Sequence, residues 1–184
     1  MAAIDVSLRP LTRDDLPRVA RWLAEPHVAA WWHDPSDLAA VQARYLPCIT
    51  GADPTEVFVM VVEGRAVGLI QRYMISDDPD WSRAMAAAGV RADRSAGIDY
   101  LIGDPELIGR GVGSTAIGTF TGLTFLRYPR ADAVSVAVQQ ANRASWRALE
   151  RAGFVRLWAG QLDSDDPSDA GPAYVYARNR AATA

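Results

Sequence analysis

The residues with the most chemical promise lie in one stretch, Ile98-Asp99-Tyr100-Leu101-Ile102-Gly103 followed by Leu107-Ile108-Gly109-Arg110-Gly111-Val112-Gly113-Ser114-Thr115. The first run is apolar except for the Asp99 carboxylate and reads as a buried strand; the second reads as a tight turn opening a helix. Closely spaced glycines let a backbone approach an anion and aim successive N–H groups at it, and the helix behind them adds the positive end of its dipole. That is an arrangement for holding phosphate. Two better-known glycine loops do not fit. A Walker loop needs a lysine before its Ser/Thr, and the chain has no lysine. The strict dinucleotide pattern G-x-G-x-x-G is not met, because Gly113 is followed by Ser114, Thr115 and Ala116, with alanine in place of the third glycine. An ordinary strand-to-helix turn remains open for the loop taken alone.

Composition narrows the classes of partner. The chain has 184 residues, 49% hydrophobic and 22% charged, which suits one globular domain spanning residues 1–184 with a sizeable core. With a net charge of −3 and a pI of about 5.3, it lacks the basic surface that nucleic-acid binding requires. Cys48 has no second cysteine to pair with, and with only His27 and His33 no Cys/His metal set forms, so no metal is expected. Neither a basic-then-apolar leader in Met1-Ala2-Ala3-Ile4-Asp5 nor an apolar run of about 20 residues is found, so a cytoplasmic chain with no membrane association is expected.

The elements that must position these residues follow from periodicity and capping. A strand is expected over Asp5 to Leu11, then a helix capped by Thr12 and ending near Glu25-Pro26. The following stretch, with adjacent Trp31 and Trp32, reads as a loop in which at least one indole faces a surface or pocket. A second helix capped by Ser36 presents Leu38, Val41, Tyr45 and Leu46 and runs to Pro47. Glu56 to Val62 and Ala66 to Ile75 form a hairpin, and Ser76 to Trp81 an acidic turn. Beyond the glycine loop come a helix over Ser114 to Arg127, using Ile117, Phe120, Thr121, Leu123, Thr124 and Phe125 for packing, and an alternating strand over Ala133 to Val138, parallel to the central one. Asn142 caps a helix that closes at Gly153; Phe154 to Leu162 and Ala173 to Arg178 complete the sheet around a second acidic loop, Asp163 to Asp169.

Gly109-x-Gly111-x-Gly113 after an apolar strand, then Asn142-Arg143-Ala144-Ser145 and Leu149-Glu150-Arg151-Ala152-Gly153-Phe154, resembles the acetyl-coenzyme-A-binding core of the GNAT N-acetyltransferase superfamily over about residues 95–155. Trp31-Trp32, Tyr45-Leu46-Pro47, Gly97-Ile98-Asp99 and Gly171-Pro172-Ala173 resemble the aminoglycoside 6′-N-acetyltransferases within it. The resemblance implies a mixed α/β fold: a mixed sheet of about six to seven strands flanked by about four helices, with a splayed strand pair binding acetyl-CoA as co-substrate. It implies that Asp99 acts as general base for an attacking amine, helped by an apolar strand that raises a carboxylate's pKa. The coenzyme is expected on Leu101, Ile102, Ile108, Gly109, Arg110, Gly111, Val112, Gly113, Ser114, Thr115, Asn142 and Arg147, with the oxyanion donor sought among Tyr100 to Ile102.

On the acceptor side the candidates are Trp31, Trp32, Tyr45, Gln71, Asp78, Asp80, Trp81, Asp99 and Asp169. Carboxylates concentrate a polycation and aromatic rings stack on sugars or meet ammonium groups, which favours a small polycationic amine. The chain departs from the family twice. Leu149 stands where many members carry a tyrosine acid, leaving the general acid unassigned, and Ala137 stands where the 6′-enzymes carry an aspartate. Siderophore-precursor acyltransferases, which act on hydroxylamine or lysine-type acceptors, resemble the same frame, and a weakly active acetyl-CoA-binding sensor is a third reading. A monomer or a homodimer is expected.

Overall fold

The computed structural model describes residues 4–181, so Met1–Ala3 of the N-terminal stretch lie outside the described residues. Among the described residues, seven strands form one mixed sheet in the order β1-β2-β3-β4-β5-β7-β6. They are β1 Ser7–Pro10, β2 Glu56–Val62, β3 Arg65–Met74, β4 Ser95–Ile102, β5 Ala133–Gln139, β6 Val155–Gln161 and β7 Pro172–Asn179. The helices are α1 Leu16–Ala24, α2 Pro26–Ala29, α3 Leu38–Thr50, α4 Pro79–Ala87, α5 Val112–Arg127 and α6 Arg143–Arg151. By compactness the chain divides into two units: residues up to Gln71 with Asp99–Ala116, and Arg72–Ile98 with Ile117 onward.

In the first unit, β1 pairs antiparallel with β2 from Ser7↔Val61 to Pro10↔Phe58. The core here joins Leu16, Val19, Trp22 and Leu23 of α1, Val28 of α2, and Val41 and Tyr45 of α3 to Val57 and Val59 of β2, Leu69 of β3 and Leu101 of β4. Successive strand residues point to opposite faces. Gln71 therefore shares a face with Leu69, and Asp99 with Leu101, which places both polar side chains on the face these helices cover. Thr12 and Asp15 cap the turn before α1: Asp15 accepts from the Thr12 N–H and hydroxyl and from both Arg9 Nη atoms at 2.7 and 2.6 Å. The Arg9 guanidinium, through those hydrogen bonds, holds the Asp15 carboxyl down at about 2, against the opposing effect of burial.

In the second unit, β4 pairs parallel with β5 over Ser95↔Ala133 to Gly97↔Ser135, and β5 pairs antiparallel with β7 along its full length. The parallel pair is what a strand-helix-strand crossover through α5 requires. β6 closes that edge on β7, with a bulge between Arg156 and Trp158. Ile117, Phe120, Thr121 and Thr124 of α5 are buried, but Leu123 is 41% exposed, which corrects its expected packing role. Arg180 serves the carbonyls left open at the end of α5: its guanidinium donates to Phe125 O, Tyr128 O and Ala131 O at 2.8–3.0 Å.

Three expectations need local correction. Asp37, not Ser36, caps α3, accepting from the Ala40 N–H at 2.9 Å. α3 continues through Pro47 to Thr50, ending at Gly51 with φ +78°, and Leu38 at its start is 42% exposed. The acidic turn is the start of α4: Asp78 accepts from the N–H groups of Asp80 and Trp81, and Pro79 takes the first helical position, where a missing N–H costs nothing. Among the described residues, α2 and α4 add to the about four helices expected.

Candidate functional site

Asp99 lies half-buried on β4. The Gln71 side-chain N–H on β3 donates to its Oδ2 at 2.9 Å, and Gln71 is itself 6% exposed. A hydrogen bond to a carboxylate is worth about 1.5–3 kcal/mol and fixes the carboxylate's rotation, so Asp99 is held rather than free to turn. Tyr45 of α3 belongs to the same unit, 1% exposed, and its hydroxyl has no hydrogen-bond partner among the described residues. Burial pushes that phenol well above its usual range, and the Asp34 carboxylate adds to the rise, Asp99 more weakly. It is a neutral donor. A buried hydroxyl left unpaired costs about 1–3 kcal/mol, which a ligand's acceptor atom would recover.

Trp31 and Trp32 follow α2, their N–H groups both bonded to Val28 O. Trp32 packs against the first core and donates its indole N–H to Asp34 at 2.9 Å; Trp31 is half-buried. The two rings thus have different environments, as adjacent positions on a bend demand. His27, on α2 itself, bonds through Nε2 to Ile102 O at 2.8 Å.

The glycine loop follows a cap of its own: Asp104 accepts from the Glu106 N–H at 3.0 Å, and a short turn over Pro105–Leu107 leads to Ile108. Gly109 and Gly111 have φ of +75° and +92°, the left-handed region that glycine enters without strain, and a Cβ built on either meets only open space. α5 then begins at Val112, two residues before the expected Ser114, and its ladder starts with Thr115 N–H to Gly111 O at 3.0 Å. The N–H groups of Val112, Gly113 and Ser114 fall in the first turn, where a helix supplies no acceptor. Bare backbone, open space and helix-terminal donors fit a pyrophosphate.

The remaining candidates belong to the second unit. Asn142 caps α6, accepting from the Ser145 N–H at 3.2 Å, and exposed Arg147 lies 5.4 Å over the Trp146 ring. Asp80 is paired with Arg83, and Trp81, partly buried, packs against a second core cluster that includes Ile75, Met85 and Val175. Asp169 accepts from the Ser164 hydroxyl at 2.8 Å; burial pushes its carboxyl up, the Ser164 bond opposes this, and Asp166 adds to it. Leu149 is fully buried, and Ala137 packs at the edge of the second core. Among the described residues no group of three or more His, Cys, Asp and Glu could hold a metal ion, and no helix is long and apolar enough to cross a membrane.

Two contacts had no sequence signal. His27 and Ile102 are separated by 75 positions, and the Trp22 ring lies directly on Gly103, where a Cβ would overlap it. Neither pairing leaves a local pattern to read.

Residues 12–162 match the model of the acetyltransferase (GNAT) domain family. The chain is 28% identical over 181 residues to the aminoglycoside N(6′)-acetyltransferase type 1 of Klebsiella pneumoniae, covering 96% of this chain and 84% of that one. Among solved structures it superposes on aminoglycoside acetyltransferase AAC(6′)-Ib in complex with coenzyme A (TM-score 0.80, 26% identity, 96% of this chain and 95% of that one) and on the same enzyme with coenzyme A and kanamycin (TM-score 0.81, 26% identity, with the same coverage). A spermidine N-acetyltransferase from Vibrio cholerae shares the fold at 18% identity and TM-score 0.72, covering 95% of each chain. With the glycine loop, the central strand and the family match all in place, the chain belongs to the GNAT acetyltransferase family, whose co-substrate is acetyl-CoA.

Proposed function

We propose that this chain transfers acetyl from acetyl-CoA to a primary amine of a polycationic small molecule, with an aminoglycoside 6′-amine as the first candidate, by direct attack in a ternary complex. The observation that carries the reading is Asp99, oriented on β4 by Gln71 at 2.9 Å in the unit that also holds the glycine loop and the unpartnered Tyr45 hydroxyl. The similarity to the N(6′)-acetyltransferases, which spans 96% of the chain, supports the choice of acceptor.

Acetyl-CoA supplies an activated acetyl thioester. The loop from Ile108 to Thr115 holds its pyrophosphate on backbone N–H groups, with the α5 dipole adding to the field. Leu101 and Ile102 are the β4 positions we assign to the pantetheine arm. Asp99 accepts the proton that the attacking nitrogen must shed; the new C–N bond forms as the C–S bond breaks, and the thiolate takes its proton from solvent. Buried Leu149 has no proton to give, and a thiolate is a good enough leaving group not to require one. Tyr45 donates to an oxygen or nitrogen of the acceptor, and Trp31 and Trp32, in the same unit, cover its rings.

The test is thiol release from acetyl-CoA over a panel of kanamycin-type and gentamicin-type aminoglycosides, simple polyamines, and hydroxylamine-bearing siderophore precursors. Turnover on aminoglycosides with a free 6′-amine, lost when that amine is blocked, is the expected result. Turnover confined to the siderophore precursors replaces the acceptor, and coenzyme binding without turnover on any amine leaves a sensor.

A further inference from the structure

We infer that His27 is a positioning residue for the coenzyme loop, acting through the main chain at the end of β4. The inference rests on the reading that the glycine loop holds the pyrophosphate of acetyl-CoA. Three consecutive residues, Ile102, Gly103 and Asp104, carry the chain from the Asp99 strand into that loop. On the β3 side they are tied by Gly103 N–H and Asp104 N–H to Val67 O at 2.8 and 3.2 Å, and by the Arg65 guanidinium to Asp104 Oδ2 at 2.8 Å. Within one trans peptide the carbonyl points opposite to the N–H. Because the Gly103 N–H faces β3, the Ile102 carbonyl faces away from it. The parallel ladder of β4 on β5 covers only Ser95–Gly97. The acceptor at Ile102 is met by a side chain instead: His27 Nε2, at 2.8 Å.

A carbonyl oxygen only accepts, so Nε2 carries the proton and donates, in the neutral ring and in the imidazolium alike. The bond therefore survives either charge state, and its purpose is geometric. It fixes the plane of the 102–103 peptide from the α2 side while Trp22 lies on Gly103. From there the path to the loop is short and held at each step: the Asp104 cap on Glu106, Leu107 N–H to Asp104 O at 3.1 Å, and Arg110 N–H to Leu107 O at 3.3 Å. A rotation of the 102–103 peptide is passed along these bonds to Gly109 and Gly111. α2 itself is short, started by Pro26 and only four residues long, so a tertiary anchor of this kind also keeps it in place.

The experiment measures coenzyme A affinity directly by calorimetric titration, with acetyl-CoA KM and kcat alongside, for His27→Phe, His27→Gln and Gly111→Val. All are compared at a temperature where each variant's near-UV circular dichroism equals that of the parent. His27→Phe keeps a flat ring and loses the donor; His27→Gln restores an N–H of similar reach. We expect His27→Phe to weaken coenzyme A binding by about tenfold, the worth of one hydrogen bond, and to raise KM for acetyl-CoA more than it lowers kcat. His27→Gln is expected to recover most of that loss. Parent-like affinity in His27→Phe while Gly111→Val loses binding overturns the inference and leaves the loop reading standing. Equal losses in His27→Phe and His27→Gln also overturn it, since the bond would not be the cause. Full affinity in Gly111→Val overturns the loop reading, and the inference with it.

Discussion

Gly103→Ala is the substitution whose cost the structure specifies most sharply. Gly103 has ordinary negative φ, so its need for glycine is not conformational; a Cβ there would overlap Cγ, Cδ1 and Cδ2 of Trp22. These are the ring atoms nearest the Trp22 backbone, which a rotamer change moves least. To regain a carbon–carbon separation of about 3.5 Å the ring would retreat by roughly 1.5 Å. Trp22 is 7% exposed, in a core with Leu16, Val19 and Leu23, so that retreat displaces other side chains. Overpacking of this kind costs about 1–3 kcal/mol, or roughly 2–12 °C in melting temperature for a chain of this size. Trp22→Ala alone costs about 3–5 kcal/mol through the cavity it leaves. In that background the new methyl meets no ring, and Gly103→Ala becomes neutral or stabilises by about 0.4–1 kcal/mol through the unfolded state. The two substitutions should therefore be coupled by about 1–4 kcal/mol in urea unfolding followed by circular dichroism. A Gly103→Ala protein within 0.5 kcal/mol of the parent, or additive costs in the double variant, would refute the packing argument.

Further predictions concern charge and orientation. Asp15, held at about 2, contributes stability that is present above its unfolded value of about 4 and lost as pH falls through 2; allowing for the solvent at Arg9, it amounts to about 1–2 kcal/mol. The melting temperature of Asp15→Asn should lie below that of the parent at pH 7, with the gap narrowing as pH falls from 5 towards 2; a gap independent of pH would contradict this. Gln71→Leu removes the donor to Asp99 and should lower kcat/KM for the acceptor amine by about tenfold or more while coenzyme A affinity stays the same. Unchanged kcat/KM would mean that Asp99 needs no such support.

What was legible in the sequence follows the range of the interaction. The Thr12 cap, the Asn142 cap, the glycine loop and the alternating β5 are set by residues within a few positions of one another, and each is found where its local chemistry puts it. α4 departs from the turn expected over Ser76 to Trp81 although it carries local helix signals. Asp78 followed by Pro79 is a cap and first-turn pair, but the cluster of aspartates also reads as a turn, since the same side-chain bonds serve both. Pro47 reads as a stop, yet α3 passes through it. Thr50 Oγ and the Gly51 N–H bond to carbonyls of Leu46 and Pro47 and complete the last turn. Asp99 and Gln71 could each be singled out as candidates, but that one holds the other follows from strand pairing, which no spacing along the chain encodes. The same applies to His27 on Ile102 and Trp22 on Gly103.

The role of Asp99 as general base is tested most directly by the turnover of Asp99→Asn with the acceptor amine the panel identifies, taken together with its coenzyme A affinity. The amide keeps the size and most of the hydrogen bonding of the carboxylate but cannot take the amine proton. A loss in kcat of about a hundredfold or more, the usual contribution of a general base, is expected, with coenzyme A bound as in the parent. Turnover within a few-fold of the parent would contradict it and move the base elsewhere in the chain.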